Sequence, residues 1–269
     1  MLYLVSTPIG NLNDITLRAL DILKSSDYIL CEDTRHSRML MKHFEIDKPL
    51  YSLHQFNEAQ KSESIIQDLH AGKTVALVVD AGTPGICDPS GILVKRCHEE
   101  NIKVIAPVGA CAIISALSLY GLVNPNFQFI GFAPKKGPEL NTFLLKARYF
   151  DGLSIFYDTP HQFARTVDSL IALNVTQEIT VLRELSKIYE SIETHSLSEW
   201  KERLAKDPIR GELVVIIEGE KKEAEELDEE YIINTLKQEL DLSYNDLIKL
   251  ASKLLKKPKN ALYQKWLEI

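Results

Sequence analysis

The sequence predicts an α/β protein, with two α/β domains followed by a helical extension. Short apolar runs alternate with amphipathic stretches before residue 109, longer strand-like runs follow that residue, and helical patterns without strands occupy the C-terminal end. Alternation of strands and helices is typical of a mostly parallel sheet. Since 269 residues exceed the usual size of one domain, we expect an N-terminal domain over 1–109, a second over 110–219 and an extension over 220–269.

The predicted strands are short, apolar and rich in β-branched residues, which favour buried strands. In the first domain they are Leu2 to Ser6, Tyr28 to Cys31, Thr74 to Val79 and Ile102 to Ala106. Amphipathic stretches such as Leu17 to Lys24 and Glu58 to Leu69 predict the helices between them. In the second domain the predicted strands are Phe127 to Phe132, Leu153 to Tyr157, Glu178 to Leu182, Tyr189 to Thr194 and Glu212 to Glu218.

The C-terminal extension combines an acidic linker with a basic end. Residues 218–230 hold eight acidic residues against two lysines, which indicates a solvated linker or helix start. Helical patterns then cover about 228–240, 243–255 and 258–268, with Ser243 as the expected N-cap of the middle helix. From residue 249 onward there are six lysines and one glutamate. Basic helical units of this kind bind nucleic acid as helix-turn-helix modules, or they are solvated tails that dock on the body of the protein.

Composition excludes several classes of protein. The net charge of −7 argues against general polyanion binding, although the basic extension departs from that average. No apolar run reaches the roughly 18 residues that a membrane helix requires, and the first ten residues lack the basic start of a signal peptide. We therefore expect a cytoplasmic protein. The four cysteines form no CxxC pair and the seven histidines no HExxH motif, so we expect neither a metal site nor disulfides.

The loop over 79–91 is the strongest candidate for a ligand site. It follows a predicted buried strand, and ligands of open α/β sheets bind beyond the carboxyl ends of such strands. Gly82 and Gly85 permit positive φ angles, while Pro84 and Pro89 stiffen the loop. An ordinary strand-to-helix turn is the alternative. No two glycines are separated by a single residue, so the GxGxxG fingerprint of dinucleotide binding is absent.

Several motifs together resemble the small-subunit rRNA methyltransferase I family, which belongs to the tetrapyrrole methylase superfamily. The resemblance covers essentially the whole chain, and TPIGNL, EDTR and DAGTP in this order are its specific markers. The segments that carry it are 7–12, 31–35, 53–58, 80–84, 109–112, 156–157, 182–185 and 259–263. The basic end is similar to the helix-turn-helix extension of that family.

The resemblance implies a fold, a reaction and a set of site residues. The fold is two tetrapyrrole-methylase-type α/β domains with a cofactor cleft between them. The reaction is methyl transfer from S-adenosylmethionine to the ribose 2′-oxygen of a cytidine in the decoding region of 16S rRNA. The residues implied to bind the cofactor are Ile9, Gly10, Asp80, Ala81, Gly82, Thr83, Pro84, Ile86, Cys111, Ala112, Tyr157, Leu185 and Leu213.

The resemblance also implies catalytic and RNA-binding residues. Glu32 matches an acidic proton acceptor of related methylases, and Arg35 beside it is suited to hold a phosphate. The basic residues expected to contact RNA are Lys135, Lys136, Lys253, Lys256, Lys257 and Lys259. The expected partners are 16S rRNA or the small ribosomal subunit and a second copy of the chain, with no membrane.

Four alternatives remain open from the sequence. The cleft can instead hold a tetrapyrrole substrate such as a precorrin, although the basic extension argues against it. The chain can also be an RNA-binding module that has lost activity. The Glu-Asp-x-Arg motif can be a surface ion pair that caps a helix, and His54 and Asn57 can either contact substrate or be solvated loop residues.

Overall fold

The computed structural model describes residues 1–123, 126–220, 236, 243–255, 257–260 and 262. The chain divides into two compact units, Met1–Glu220 and Lys221–Ile269. The first unit contains two five-stranded sheets, one formed before residue 109 and one after it. The α/β class expected from the sequence is confirmed. None of the helices in the described part of the chain is long and apolar enough to cross a membrane.

The first sheet is entirely parallel. Its strands are β1 (Leu2–Leu4), β2 (Tyr28–Cys31), β3 (Leu50–Ser52), β4 (Val75–Leu77) and β5 (Val104–Ile105), in the spatial order β3-β2-β4-β1-β5. Its helices are α1 (Leu17–Ser25), α2 (Thr34–His43), α3 (Glu58–His70) and α4 (Gly91–Glu99). Parallel strands end at the same edge of a sheet, so the segments that follow β1, β2, β3 and β4 are neighbours there.

The second sheet is mixed. Its strands are β6 (Phe127–Phe132), β7 (Leu153–Asp158), β8 (Ile179–Arg183), β9 (Ser191–His195) and β10 (Leu213–Glu218), in the order β6-β7-β10-β8-β9. Only β6 and β7 pair in parallel, and the other neighbours are antiparallel. The helices of this part are α5 (Ala112–Tyr120), α6 (Gly137–Arg148), α7 (Pro160–Ala172) and α8 (Leu197–Lys206).

Apolar residues cover both faces of each sheet, which is why most of the strands read as continuous apolar runs in the sequence. The second sheet packs on one face against α6, α7 and α8, where Trp200 is fully buried and its indole N–H donates to the Ile179 carbonyl oxygen at 2.9 Å. Its other face packs against α5 through Ile113, Ala116 and Leu117. This second face adjoins the candidate site described below.

Most predicted strands are present with shifted ends, and one was missed. The run predicted over Thr74 to Val79 forms ladder pairs only over Val75–Leu77, although Val78 and Val79 are also buried. Strand β3 has only three residues and is half-buried or exposed, so it lacks the apolar run that signals a strand. It lies at the edge of the first sheet, where a short strand completes the pairing of β2.

The second unit contains the helix α9 (Tyr244–Leu254). Ser243 caps it by accepting a hydrogen bond from the backbone N–H of Asp246, so the expected N-cap is present. The buried side of α9 forms a small apolar cluster with residues on either side of it in sequence: Leu236, Leu247, Ile248, Ala251 and Leu262. The helices predicted over 228–240 and 258–268 lie largely outside the described residues, as does Lys256.

Candidate functional site

The loop that follows β4 is tied to the loop that follows β1. The backbone N–H of Thr7 donates to the Gly82 carbonyl oxygen at 2.9 Å, and the Gly82 N–H donates to the Thr7 carbonyl oxygen at 3.1 Å. The Thr7 hydroxyl donates to the Val79 carbonyl oxygen at 3.0 Å. Gly82 has a φ of +81°, a conformation that only glycine adopts without strain. The glycine predicted from the loop pattern is therefore required by the backbone.

A third loop, which follows β5, packs against the loops that follow β1 and β4. The Thr83 hydroxyl donates to the Ala110 carbonyl oxygen at 3.0 Å and lies 3.0 Å from the Ser6 hydroxyl. A Cβ atom added to Gly109 would lie 2.5 Å from the Cβ of Ser6, so only glycine allows this approach. Three loops at the carboxyl edge of the first sheet thus form one continuous floor.

A cavity of about 320 Å³ lies above this floor and is lined by residues from both sheets. Eleven of the predicted cofactor residues line it, from both halves of the first unit: Ile9, Asp80, Ala81, Gly82, Thr83, Ile86, Cys111, Ala112, Tyr157, Leu185 and Leu213. Gly10 and Pro84 do not. A Cβ on Gly10 would lie 2.8 Å from the Leu185 carbonyl oxygen, so Gly10 permits a close contact between the two halves. Pro84 is buried within its loop.

Sequence reasoning missed part of the cavity wall, namely Cys87, Asp88, Phe132, Asp158, Thr159, Pro160, Gly211, Glu212 and Val214. The segments 158–160 and 211–214 lie side by side because β7 and β10 pair antiparallel, with Asp158 opposite Leu213. The Asp-Thr-Pro turn after β7 follows a buried strand as the loop after β4 does, and that similarity was the available signal. The pairing of β7 with β10 has no such local signature.

The charge of the cavity wall is negative. The lining includes the carboxylates of Asp80, Asp88, Asp158 and Glu212, and no lysine or arginine is among the described residues that line it. Burial, followed by repulsion from Asp80, raises the pKa of Asp88. Burial raises the pKa of Asp158 to about 6, against the opposing effect of hydrogen bonds from the Thr166 hydroxyl and the Thr159 N–H. Such a wall favours a ligand that carries positive charge.

The rest of the wall is apolar and partly aromatic. The Tyr157 ring lies 5.0 Å, centroid to centroid, from both Phe129 and Phe132. Burial is the main cause that raises the pKa of Tyr157, so its phenol is neutral at physiological pH. Ile9, Cys111 and Ala112 pack against the same apolar cluster. An apolar wall with a few polar groups is typical of small-molecule sites.

Glu32 follows β2 directly, at the same edge of the first sheet as the loop after β4. It is half-buried and lies outside the lining of the cavity itself. Burial, followed by repulsion from Asp88 and Asp80, raises the pKa of Glu32. A carboxylate whose pKa is raised is a better proton acceptor at neutral pH than one at its ordinary value.

Arg35 and Asp33 form the helix-capping ion pair that the sequence left as an alternative. The Asp33 carboxylate accepts from the backbone N–H of Arg35 at 2.8 Å and caps α2. The Arg35 guanidinium lies 2.8 Å from the same carboxylate, with its side chain 91% exposed. Hydrogen bonds from Arg35 hold the pKa of Asp33 well below its usual range. Arg35 does not line the cavity, so any contact with a phosphate must be made from this exposed position.

His54 and Asn57 lie in the loop after β3, next to Glu32. The Leu53 N–H donates to the Cys31 carbonyl oxygen at 2.8 Å, which joins this loop to the end of β2. The Asn57 side-chain oxygen accepts from the His54 N–H at 2.9 Å, and its nitrogen lies 3.0 Å from the His54 Nε2. The two residues therefore stabilise the loop conformation through each other.

The predicted RNA-binding lysines are exposed wherever the structure describes them, namely at Lys135, Lys136, Lys253, Lys257 and Lys259. Lys135 and Lys136 belong to the turn before α6. Lys253 is in the last turn of α9. No group of three or more potential metal ligands occurs within the described ranges.

Comparison with known proteins identifies the class of protein that this fold and cavity define. Residues 1–201 match the model of the family described as Tetrapyrrole (Corrin/Porphyrin) Methylases. The structure is similar to a diphthine synthase, with a TM-score of 0.64 and 17% identity over 81% of this chain and 89% of that one. It is also similar to the uroporphyrin-III-C-methyltransferase from Thermus thermophilus, with a TM-score of 0.56 and 16% identity over 81% and 93% of the two chains. These likenesses show a tetrapyrrole methylase fold.

Curated relatives narrow the family. This chain is 40% identical to the protein named ribosomal RNA small subunit methyltransferase I from Vibrio cholerae serotype O1, over 99% of this chain and 93% of that protein. It is 38% identical to the protein of the same name from Escherichia coli O157:H7, over 99% of this chain and 94% of that protein. The Streptococcus pyogenes serotype M1 protein of the same name is 35% identical over 98% and 94%. The chain belongs to the ribosomal RNA small subunit methyltransferase I family. The resemblance seen in the sequence motifs is confirmed.

Proposed function

We propose that this protein transfers a methyl group from S-adenosylmethionine to the ribose 2′-oxygen of a cytidine in the decoding region of 16S rRNA. Membership of an rRNA methyltransferase family supports the reaction class. The observation that carries the proposal is the cavity at the carboxyl edge of the first sheet, where the glycine loop and the second sheet meet. The choice of cytidine and of its ribose 2′-oxygen rests on the family resemblance that the motifs TPIGNL, EDTR and DAGTP carry.

The residues of the cavity fit S-adenosylmethionine. Gly82 allows a ligand to contact the backbone because it has no side chain, and a Cβ there would be in ordinary contact with Ile9 at 3.5 Å. The carboxylates of Asp80 and Asp88 complement a cationic ligand, and the apolar wall near Tyr157 suits a flat ring. When bound, S-adenosylmethionine supplies a methyl group on a sulfonium centre, which is an electrophile. The protein must then supply the alignment of the hydroxyl and the removal of its proton.

The protein must hold the ribose hydroxyl and remove its proton. An alcohol is a poor nucleophile at neutral pH, so alignment and proton transfer are the two contributions that a site can make. Glu32 is the proton acceptor in this proposal, because its raised pKa brings it nearer to neutral pH. Arg35, exposed beside it, holds a nearby phosphate of the substrate. General-base contributions are typically about 10²–10⁴-fold.

RNA capture is assigned to exposed basic residues that are not among the residues lining the acidic cavity. Lys135 and Lys136 lie in one exposed turn, and Lys253, Lys257 and Lys259 lie in the second unit. A homodimer and a cytoplasmic location belong to the same proposal, and the homodimer rests on the family resemblance.

Ribose methylation of small ribosomal subunits tests the proposed function directly. Subunits from cells that lack this protein should gain one 2′-O-methylcytidine in the decoding region when they are incubated with the protein and S-adenosylmethionine. Mass spectrometry of nuclease fragments locates the modification. Methylation at a base atom, or at another ribose, would contradict the proposed chemistry. Failure to bind S-adenosylmethionine in a calorimetric titration would favour the inactive RNA-binding module instead.

Truncation after Glu220 should weaken RNA binding and leave cofactor binding intact. Met1–Glu220 is a compact unit that contains every residue lining the cavity, whereas the truncation removes the basic end. Each lost phosphate contact lowers the slope of log affinity against log salt by roughly 0.7–0.9. Binding of an rRNA fragment, measured over a salt series, gives this slope. An unchanged slope would move the RNA contacts to Lys135 and Lys136.

A further inference from the structure

A second cavity, distinct from the one already described, is built mainly from arginines. It has a volume of about 290 Å³ and is lined by Arg183, Arg203, Asp207, Pro208, Ile209 and Arg210. We call it the arginine pocket. It lies where the end of β8 meets the segment between α8 and β10. Arg183 falls in segment 182–185, which carries the family resemblance, but no motif of the sequence analysis indicated an anion site here.

One of the three arginines holds the pocket together. The Arg203 guanidinium donates to the Glu193 carboxylate through Nε at 2.7 Å and Nη2 at 3.2 Å. Its Nη1 donates to the Asp207 carbonyl oxygen at 3.0 Å. The charge of Arg203 is therefore neutralised, and the fork fixes the turn after α8 to β9. Arg203 acts as the structural part of the pocket.

The other two arginines form no ion pair among the described residues, although Arg183 lies within electrostatic reach of the Glu184 carboxylate. Arg183 donates through Nε to the Ser191 hydroxyl at 3.1 Å and forms no ion pair within the described part of the chain. The Arg210 side chain is exposed and likewise has no ion-pair partner among the residues that the structure describes. Planar guanidinium groups recognise phosphate through paired hydrogen bonds. Two of them facing one concave site are therefore suited to an anion of that shape.

The arginine pocket adjoins the cofactor cavity. Arg183 pairs in register with Leu213, which lines that cavity, and Arg210 is followed directly by Gly211, which lines it as well. A phosphate held here would therefore lie beside two residues of the cavity wall, Gly211 and Leu213. Asp207 also lines the pocket, and its negative charge lowers the affinity of the pocket for an anion.

We propose that the arginine pocket binds a phosphate group through the guanidinium groups of Arg183 and Arg210, and that this phosphate belongs to the backbone of the RNA substrate. Only the source of the phosphate rests on the proposed function. The anion-binding chemistry stands on the pocket alone. RNA bound in this way would be anchored on one side of the methyl-transfer site by a fixed contact.

Full-length Arg183→Gln and Arg210→Gln variants test the proposal. Binding of a single-stranded decoding-region oligonucleotide over a salt series should give a slope smaller by about 0.7 in each variant, because one phosphate contact is lost. Arg18→Gln is the matched control, since Arg18 is exposed on α1 and lies outside both cavities. Its slope should stay at the wild-type value. Asp207→Asn should tighten RNA binding, which a general loss of structure does not do.

Titration with inorganic phosphate distinguishes a site for free phosphate from a site for the RNA backbone. Phosphate binding that the Arg210→Gln variant loses, together with unchanged RNA slopes, would support an anion site and overturn its assignment to RNA. Unchanged slopes and no phosphate binding would overturn the whole proposal. Arg210 is exposed, so the Arg210→Gln variant should fold normally. If Arg183→Gln does not fold, Arg183→Lys, which keeps the charge, replaces it in the test. S-adenosylmethionine titration and methylation mapping report separately on the proposed function.

Discussion

Gly82→Val should lose S-adenosylmethionine binding by about 100-fold or more, which corresponds to about 2.8 kcal/mol. The reason is twofold. Gly82 has a φ of +81°, which a β-branched residue adopts only with strain, and its Cβ position faces Ile9 across the cavity floor. The two γ-methyl groups of valine would then occupy space that the ligand needs. Calorimetric titration with S-adenosylmethionine measures the loss.

Gly72→Val is the matched control for that result. Gly72 has a φ of +88° in the turn before β4, and a Cβ there meets nothing within 4 Å. Both variants therefore carry the backbone strain of about 1–3 kcal/mol, but only one alters the cavity. A Gly82→Val protein that folds and titrates like its parent would remove the loop after β4 from the cofactor site.

Glu32→Gln should lower single-turnover methyl transfer by about 100-fold or more, with little change in cofactor affinity. The substitution keeps the shape of the side chain and removes the carboxylate that we propose as the proton acceptor. Because only the ionised form accepts a proton, the wild-type rate should rise with pH as Glu32 loses its own proton, and its raised pKa moves that rise to higher pH. The variant should lose this rise.

Two further variants separate catalysis from helix capping. Glu63→Gln makes the same chemical change at an exposed glutamate that pairs with Arg96, and its transfer rate should match the parent. Asp33→Ala should lower thermal stability, because it removes the side-chain oxygen that caps α2, while most of the chemistry remains. Equal rates for Glu32→Gln and the parent would exclude Glu32 as the base.

The first sheet and its loops were largely predictable from the sequence because their signals are local. Gly82 and Pro84 after an apolar run mark a ligand loop, and the structure gives Gly82 the positive φ that this pattern requires. Strand β3 was missed because three residues at a sheet edge carry no apolar pattern. Sequence periodicity needs longer elements than this one.

The second half of the cavity was less accessible to sequence reasoning. Tyr157, Leu185 and Leu213 were named from the family resemblance alone, and each is an ordinary apolar residue of a strand or its end. Asp158 and Gly211 were missed because the antiparallel pairing of β7 with β10 brings them together, and that register depends on packing across the whole sheet. The pocket at Arg183 and Arg210 was missed because the antiparallel pairing of β8 with β10 brings these residues together, and that pairing has no local signature either.

The hydrogen bonds between Thr7 and Gly82, with the contact of Thr83 to Ala110, mean that the floor of the cavity is ordered by folding and not by its ligand. Ordering a loop costs conformational entropy, and here that cost falls once, when the chain folds, instead of at each binding event. Association then requires little rearrangement of the floor, so encounters between protein and cofactor are productive without waiting for a rare open state. For an enzyme that must exchange its spent cofactor after every turnover, a preformed floor shortens the interval between one methylation and the next.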